Sequence, residues 1–507
     1  MPISKSDQVY KLIKSLNKAE KRNFKLFVNR LNSNKDGKFL QLFEYLDKIV
    51  EYEDALIKKK FPTLKTGDIS NLKRHLYDQI LKSLRLIHIK RDVDLQIREQ
   101  MDYAKILYGK GLYLQSLKLL DRVKVIAKNS EQEIIYLEIT EFQKLIESRH
   151  ITRSRKIENK VEDLILGSAV TRQVVARTSR LSNLSLKIQG LYIKLGFVKN
   201  NMEKFLVNEY FTSNFPTTFP SKMGFYEEVL LNQSSVWYNY MLMQFEKSLM
   251  HSKMWVQVFH RSEVMKQKDP DLYIRGLHYV LTNCFYLKEK ESFKEYLDIY
   301  KKYLQIAEAD FNINTQILNF NYYHNALINQ CLIEKDYKSG LKLVPTINLN
   351  IKSYKLKLDS HRVLMFYYKI AWMYIACGQY EQAIDYLKKI IDNKKDHLRN
   401  DLIAYAKLLQ LLCHYKLQNY TLITNLSPMV KRHFEVSGQM NSCIQSILLF
   451  LNKHPNEFDK HSAIDKVYQK IIASESHPYE KRCFIYFNFR HWIEGLRETK
   501  TMNELTI

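Results

Sequence analysis

The sequence predicts an all-α protein, a solenoid of antiparallel helix hairpins preceded by a separate N-terminal helical unit. Three observations carry this. Gly (13) and Pro (9) are scarce among 507 residues, against roughly 7% and 5% in average proteins, and a sheet protein of this size needs both at its many turns. Apolar residues recur at helical spacing along nearly the whole chain. A hairpin-like pattern also returns at a period of about 43 residues in the C-terminal half. With 46% hydrophobic and 26% charged residues, there is ample apolar surface for cores, and the length asks for several domains or one extended array.

Residues 1–95 read as a basic N-terminal helical domain of about four or five helices. Val9, Leu12, Ile13 and Leu16 keep a 3.6 period. Asn17 then caps a second helix with Phe24, Phe27, Val28 and Leu31. Asn32 to Gly37 is a turn cluster. A third helix carries Phe39, Leu42, Phe43, Leu46 and Ile49, and a short fourth carries Leu56, Ile57 and Phe61. After Pro62 and Gly67, Asp68 is placed to cap a long helix with Ile69, Leu72, Leu76, Ile80, Leu84 and Ile87 on one face.

Residues 96–507 read as the repeat solenoid, with roughly eight to ten hairpins. Its clearest unit runs from Tyr367 through Ala371 and Tyr374 to Gly378-Gln379-Tyr380, then Ala383, Leu387 and Ile390. Small residues at Ala371 and Ala383 let helix axes close to about 8–10 Å, and Gly378 supports the reversal. Ala104, Leu107, Gly111-Leu112-Tyr113, Ser116 and Leu120 repeat the pattern, and so do Leu327, Cys331, Tyr337, Gly340 and Val344. Cys284, Leu287, Phe293 and Leu297 follow it more loosely, as do Cys413, Tyr420 and Ile423. The units at 98–128 and 365–394 resemble tetratricopeptide repeats. The turn aromatics Phe293, Tyr337, Tyr380 and Tyr420 lie 44, 43 and 40 residues apart. That exceeds the tetratricopeptide's 34 residues and implies longer helices or loops. Residues 150–235 and 425–507 stay helical in pattern but lose the motif, and 214–221 reads as a long loop. Over its whole length the chain also resembles functionally uncharacterised, tetratricopeptide-like bacterial proteins that begin with a segment like Leu16-Asn17-Lys18-Ala19-Glu20-Lys21-Arg22-Asn23-Phe24. That resemblance implies one integral protein and no particular activity.

Motifs for chemistry are missing. There is no G-x-x-x-x-G-K-[ST], G-x-G-x-x-G, G-x-S-x-G or H-E-x-x-H. The fifteen histidines are scattered, and acid pairs such as Glu53-Asp54 sit at helix starts, where the macrodipole accounts for them. The six cysteines form no C-x-x-C and read as reduced thiols packed in helices. The expectation is a non-enzyme without cofactor or metal. Met1-Pro2-Ile3-Ser4-Lys5 precedes no apolar signal core, and the longest apolar runs, such as Ile447 to Leu451, are far too short to span a bilayer. A cytoplasmic protein is expected.

Two functions of different class remain. The first is a protein–protein interaction scaffold that holds a peptide or protein in the concave groove. In the tetratricopeptide frame the groove positions are Arg98, Met101 and Lys105, then Tyr322, Asn325 and Asn329, then Tyr368 and Trp372, then Tyr405 and Lys416. Asn325 and Asn329 are i, i+4 and share a face, so their amides suit the N–H and C=O of an extended peptide. The second is a nucleic-acid-linked regulator. The net charge is +25, and residues 56–91 hold ten Lys+Arg against Asp68 and Asp78. Two helices joined by a short turn there loosely resemble a helix-turn-helix, with Ser70, Asn71, Arg74, Lys82 and Arg85 opposite the apolar stripe. The oligomeric state is not readable.

Overall fold

The computed structural model describes residues 8–31, 37–90, 92–154, 159–354, 358–393, 400–453 and 457–497. The Met1–Lys5 segment and Asn32–Asp36 of the turn cluster lie outside them. The described residues form helices and turns without a strand, and no described helix is long and apolar enough to cross a membrane. Two compact units divide the chain, Met1–Val175 and Ala176–Ile507.

In the first unit α1 (Gln8–Ser15), α2 (Lys18–Leu31), α3 (Gly37–Lys48), α4 (Asp54–Lys60) and α5 (Thr66–His88) close around Ile13, Phe24, Phe43, Leu46, Leu76 and Ile80. Asn17 starts α2 through a capping box. Its Oδ1 accepts the Glu20 N–H at 2.9 Å, and Glu20 Oε2 accepts the Asn17 N–H at 2.8 Å. This gives a physical reason for the Leu16 to Phe24 segment: two core residues, Leu16 and Phe24, bracket a helix start. Helix α5 begins two residues before the predicted cap. Asp68 lies inside its first turn and accepts the Lys65 N–H at 3.2 Å.

A second core in this unit, with Ile97, Leu120, Val123 and Ile139, joins α6 (Val93–Gly109), α7 (Tyr113–Asn129) and α8 (Glu133–Ser154). Ser116 Oγ donates to the Ala104 carbonyl at 2.8 Å, and both residues are fully buried where α6 and α7 cross. A long helix, α9 (Lys160–Leu195), follows, and the division between the units falls within it.

The second unit continues with α10 (Asn201–Asn214), α11 (Phe225–Met241), α12 (Phe245–Arg261), α13 (Glu263–Lys268), α14 (Pro270–Leu287) and α15 (Lys290–Ala307). Next come α16 (Ile313–Glu334), α17 (Tyr337–Leu341), α18 (Val344–Ser353), α19 (Ser360–Ala376) and α20 (Tyr380–Ile391). The last are α21 (Asn400–Lys416), α22 (Tyr420–Val436), α23 (Ser442–Lys453), α24 (Glu457–Ser476) and α25 (Phe489–Arg497). Most helices neighbouring in sequence pack on each other, as α11 does on α12, α19 on α20, α20 on α21 and α24 on α25. The small residues at the predicted crossings, Ala371 and Ala383, are both fully buried. In the unit around Cys331, the second helix is split into α17 and α18. Gly340 fits there between Cys331, whose Cβ a side chain would meet at 3.1 Å, and the Met373 thioether.

The hairpin turns share one geometry. A left-handed residue stands one or two positions past the first helix of these hairpins, and in all of them but the one at Lys335 the next N–H bonds back five residues, as in a Schellman cap. Gly378 (φ 71°) does so with Gln379 N–H to Tyr374 O at 2.9 Å, and Gly111 (φ 77°) with Leu112 N–H to Leu107 O at 3.0 Å. Met243, Lys288, Lys335 and Gln418 hold the same conformation without being glycine, with φ of 55°, 58°, 59° and 59°.

Candidate functional site

Three first helices of the second unit, α14, α16 and α19, present the same spacing toward one cavity of about 470 Å³. Arg275, His278 and Thr282 on α14 are i, i+3, i+7, and so are Tyr322, Asn325 and Asn329 on α16. Arg362 and Lys369 on α19 are i, i+7, with Trp372 beyond. Such spacing puts each set on one face of its helix. Tyr192 from α9, and Trp237 and Tyr240 from α11, complete an aromatic wall.

At its centre lies Lys369, buried with its ammonium 2.5 Å from Asn325 Oδ1 and 2.5 Å from Asn329 Oδ1. It also stands 5.4 Å over the Phe285 ring. Neutral amide oxygens replace only part of the lost hydration, so burial lowers the Lys369 ammonium to about 7. Beside it His278 stacks on Tyr322 with ring centres 4.0 Å apart and planes at 10°, and the Arg362 guanidinium lies 5.3 Å over the same tyrosine. Burial first, then Lys369, Arg362 and Arg275, holds His278 down to about 3. The imidazole is therefore neutral at physiological pH.

The cavity gathers positive charge without answering it. Arg275, Arg362 and Lys369 line it, and Asp359 is the one carboxylate among the described lining residues. Asp359 is exposed, and its Oδ1 accepts the His361 N–H at 3.1 Å to start α19. Two polar side chains on the wall have no hydrogen-bond partner among the described residues. They are Thr282, through its hydroxyl, and Arg275, through its buried Nε.

Of the sequence-predicted groove residues, Tyr322, Asn325, Asn329, Tyr368 and Trp372 come together here. The amide oxygens of Asn325 and Asn329, read from sequence as peptide ligands, hold Lys369. Tyr405 is fully buried behind the wall, stacked on Tyr486 at 4.0 Å, and Lys416 lies outside the lining at the end of α21. Arg98 and Lys105 belong to the other unit, where both are exposed and face Asp94 (3.0 Å) and Glu138 (3.6 Å), while Met101 is core. Sequence reasoning missed Arg275, His278, Arg362 and Lys369. A signal existed for two of them: Arg275, His278 and Thr282 keep the i, i+3, i+7 frame of Tyr322, Asn325 and Asn329. Lys369 stands out only as a lysine flanked by Tyr368 and Ile370.

In the first unit, Asn71 and Arg74 border a shallow recess of about 700 Å³ together with Lys58 and Lys73. Lys73 is committed to Asp54 and the Tyr52 hydroxyl, each at 2.6 Å, and Arg74 donates to the Asn71 side chain. Further along α5, Lys82 is exposed, and Arg85 lies 3.7 Å from Asp102. The four predicted residues are all solvent-facing.

Comparison with protein-family models and with curated proteins returns no match.

Proposed function

We propose that the chain is a non-enzymatic binding scaffold of tetratricopeptide-like hairpins that takes up a protein or peptide partner along the first-helix faces of its second unit. One observation carries the reading. Residues at equivalent helical positions of three successive hairpins converge on a single recess, which is how a repeat array builds a binding surface from elements that cannot do so alone. The walls are aromatic and amide-rich, the composition of recognition surfaces, and its one buried base is tied down by two amides. Affinity purification of the tagged full-length protein from its native cell is the test, run beside Trp372→Ala and Arg362→Glu variants. A co-purifying protein recovered with the parent and lost with both variants supports the reading, and recovery indifferent to both overturns it.

A second reading, nucleic-acid contact through α5, is favoured by the solvent exposure of Asn71, Arg74, Lys82 and Arg85 along one helix. Duplex binding in gel shift that persists at physiological salt and falls with Arg74→Ala and Arg85→Ala supports it. Loss of binding on moving to that salt leaves only the non-specific pull of net charge.

A further inference from the structure

We propose that the α14–α16–α19 cavity binds a small organic anion in which a planar ring carries a phosphate or carboxylate group. The inference rests on the binding-scaffold reading and names the ligand class of the same site.

Charge comes first. Arg275 and Arg362, both half-buried, and the buried Lys369 line one recess, and none makes an ion pair among the described residues. Unpaired charge held away from water is costly, and proteins ordinarily answer it with a counter-charge. Asp359, exposed and engaged in capping α19, is the sole acid on the wall. The missing negative charge is thus left for a ligand. Guanidinium groups offer paired donors matched to carboxylate or phosphate oxygens. Lys369 uses two of its three donors on Asn325 and Asn329, which fixes the ammonium in place and leaves one donor.

Shape comes second. A bare ion does not need about 470 Å³, which is the scale of sites for small organic ligands. Tyr192, Trp237, Tyr279 and Phe285 supply flat apolar walls, and the His278–Tyr322 stack shows that flat groups already lie face to face in this space. Because His278 is neutral, it adds no charge and presents a ring face for stacking. Thr282 and Arg275 complete the description: the Thr282 hydroxyl and the Arg275 Nε both border the cavity as buried polar atoms without a hydrogen-bond partner among the described residues, and the Asn321 amide lies beside them on the wall. The first two are free to hydrogen-bond polar substituents of the ring. Buried polar groups left this way call for a partner.

Isothermal titration calorimetry on the purified full-length protein tests this with phenyl phosphate, benzoate, phenol and inorganic phosphate. Phenyl phosphate or benzoate is expected to bind saturably, while phenol and inorganic phosphate, each lacking one half of the ligand, bind at least tenfold more weakly. Arg362→Ala should weaken the ring-bearing anion at least tenfold with an unchanged circular dichroism spectrum. Asn321→Ala, which removes no charge, should weaken it severalfold and serves if the arginine variant fails to fold. Two further arms identify the source, adenosine monophosphate and a hexapeptide containing phosphotyrosine. Binding of the free nucleotide agrees with a small-molecule ligand. Binding of the peptide alone overturns it in favour of a ring borne by a protein. Absence of saturable binding by every ring-bearing anion, or binding indifferent to both variants, also overturns the inference. Partner recovery in the purification experiment would then still stand, so the two failures are distinguishable.

Discussion

Lys369 is the residue on which the second unit's chemistry turns. Its ammonium titrates at about 7 in the folded chain, whereas an unfolded lysine titrates near 10.4. Between those values the unfolded chain binds the extra proton, so this residue makes stability rise with pH from about 7 to about 10; below about 7 both states are protonated and its penalty is constant. Urea denaturation of the protein and of Lys369→Met should therefore show the parent gaining relative to the variant over that interval. A difference independent of pH would mean that Lys369 is not held in the buried, charge-poor position described. The same titration bears on ligand uptake. Benzenesulfonate keeps its charge across this range, and its affinity should decline as the pH rises above 7. Arg275, Arg362 and Asp359 line the same recess, and His278 stays neutral. Little of this was legible beforehand. Asn325 and Asn329 are readable as groove positions from the tetratricopeptide frame, but their partner lies 44 and 40 residues away, a pairing that no local pattern encodes. Lys369 itself sits in an apolar run, where periodicity marks a core position and says nothing of a charge within it.

At the scale of the helix hairpin, the turn explains which units the sequence reveals. Gly111 and Gly378 occupy left-handed positions where an L side chain is strained by about 1–2 kcal/mol, and these two units were the readable ones. The hairpins turning at Lys288, Lys335 and Gln418 use the same backbone without the glycine, so their motif fades while their geometry does not. Gly378→Ala should lower stability by about 1 kcal/mol, and Gln418→Gly should raise it by a similar or smaller amount, both measured by urea denaturation. If the two changes act with the same sign, the turns do not share the conformation described. Gly340 plays another part. Its lack of a Cβ admits the Met373 thioether and Cys331, and Gly340→Ala should destabilise by about 1–3 kcal/mol through overpacking. The Asn17–Glu20 capping box was half visible in advance, since Asn17 announced a helix start. Asp68, following Pro62 and Gly67 and preceding the apolar stripe, reads as a cap, yet α5 extends back to Thr66 and uses Asp68 within its first turn.

For the molecule as a whole, the all-helical class was legible because it rests on bulk quantities, namely few turn residues and a persistent apolar period. The cavity was not, because it exists only where three hairpins meet. A ligand that fills it should act locally. At about 100 times its dissociation constant, binding contributes roughly 2.7 kcal/mol to the bound state, and hydrogen exchange should slow in α14, α16 and α19 while α2 and α5 are unaffected. Uniform slowing across both units, or none in the three wall helices, would contradict a ligand seated there. The left-handed lysines and glutamine carry a wider consequence. A repeat written in glycines and alanines can lose its spelling one letter at a time, provided each substitution is tolerated by packing around an unchanged turn. Comparison by residue identity then meets a text in which most of the punctuation has been replaced, although the sentences still end in the same places. Kinship for this chain is better sought in the placement of its backbone reversals, near 243, 288, 335, 378 and 418, than in the amino acids that occupy them.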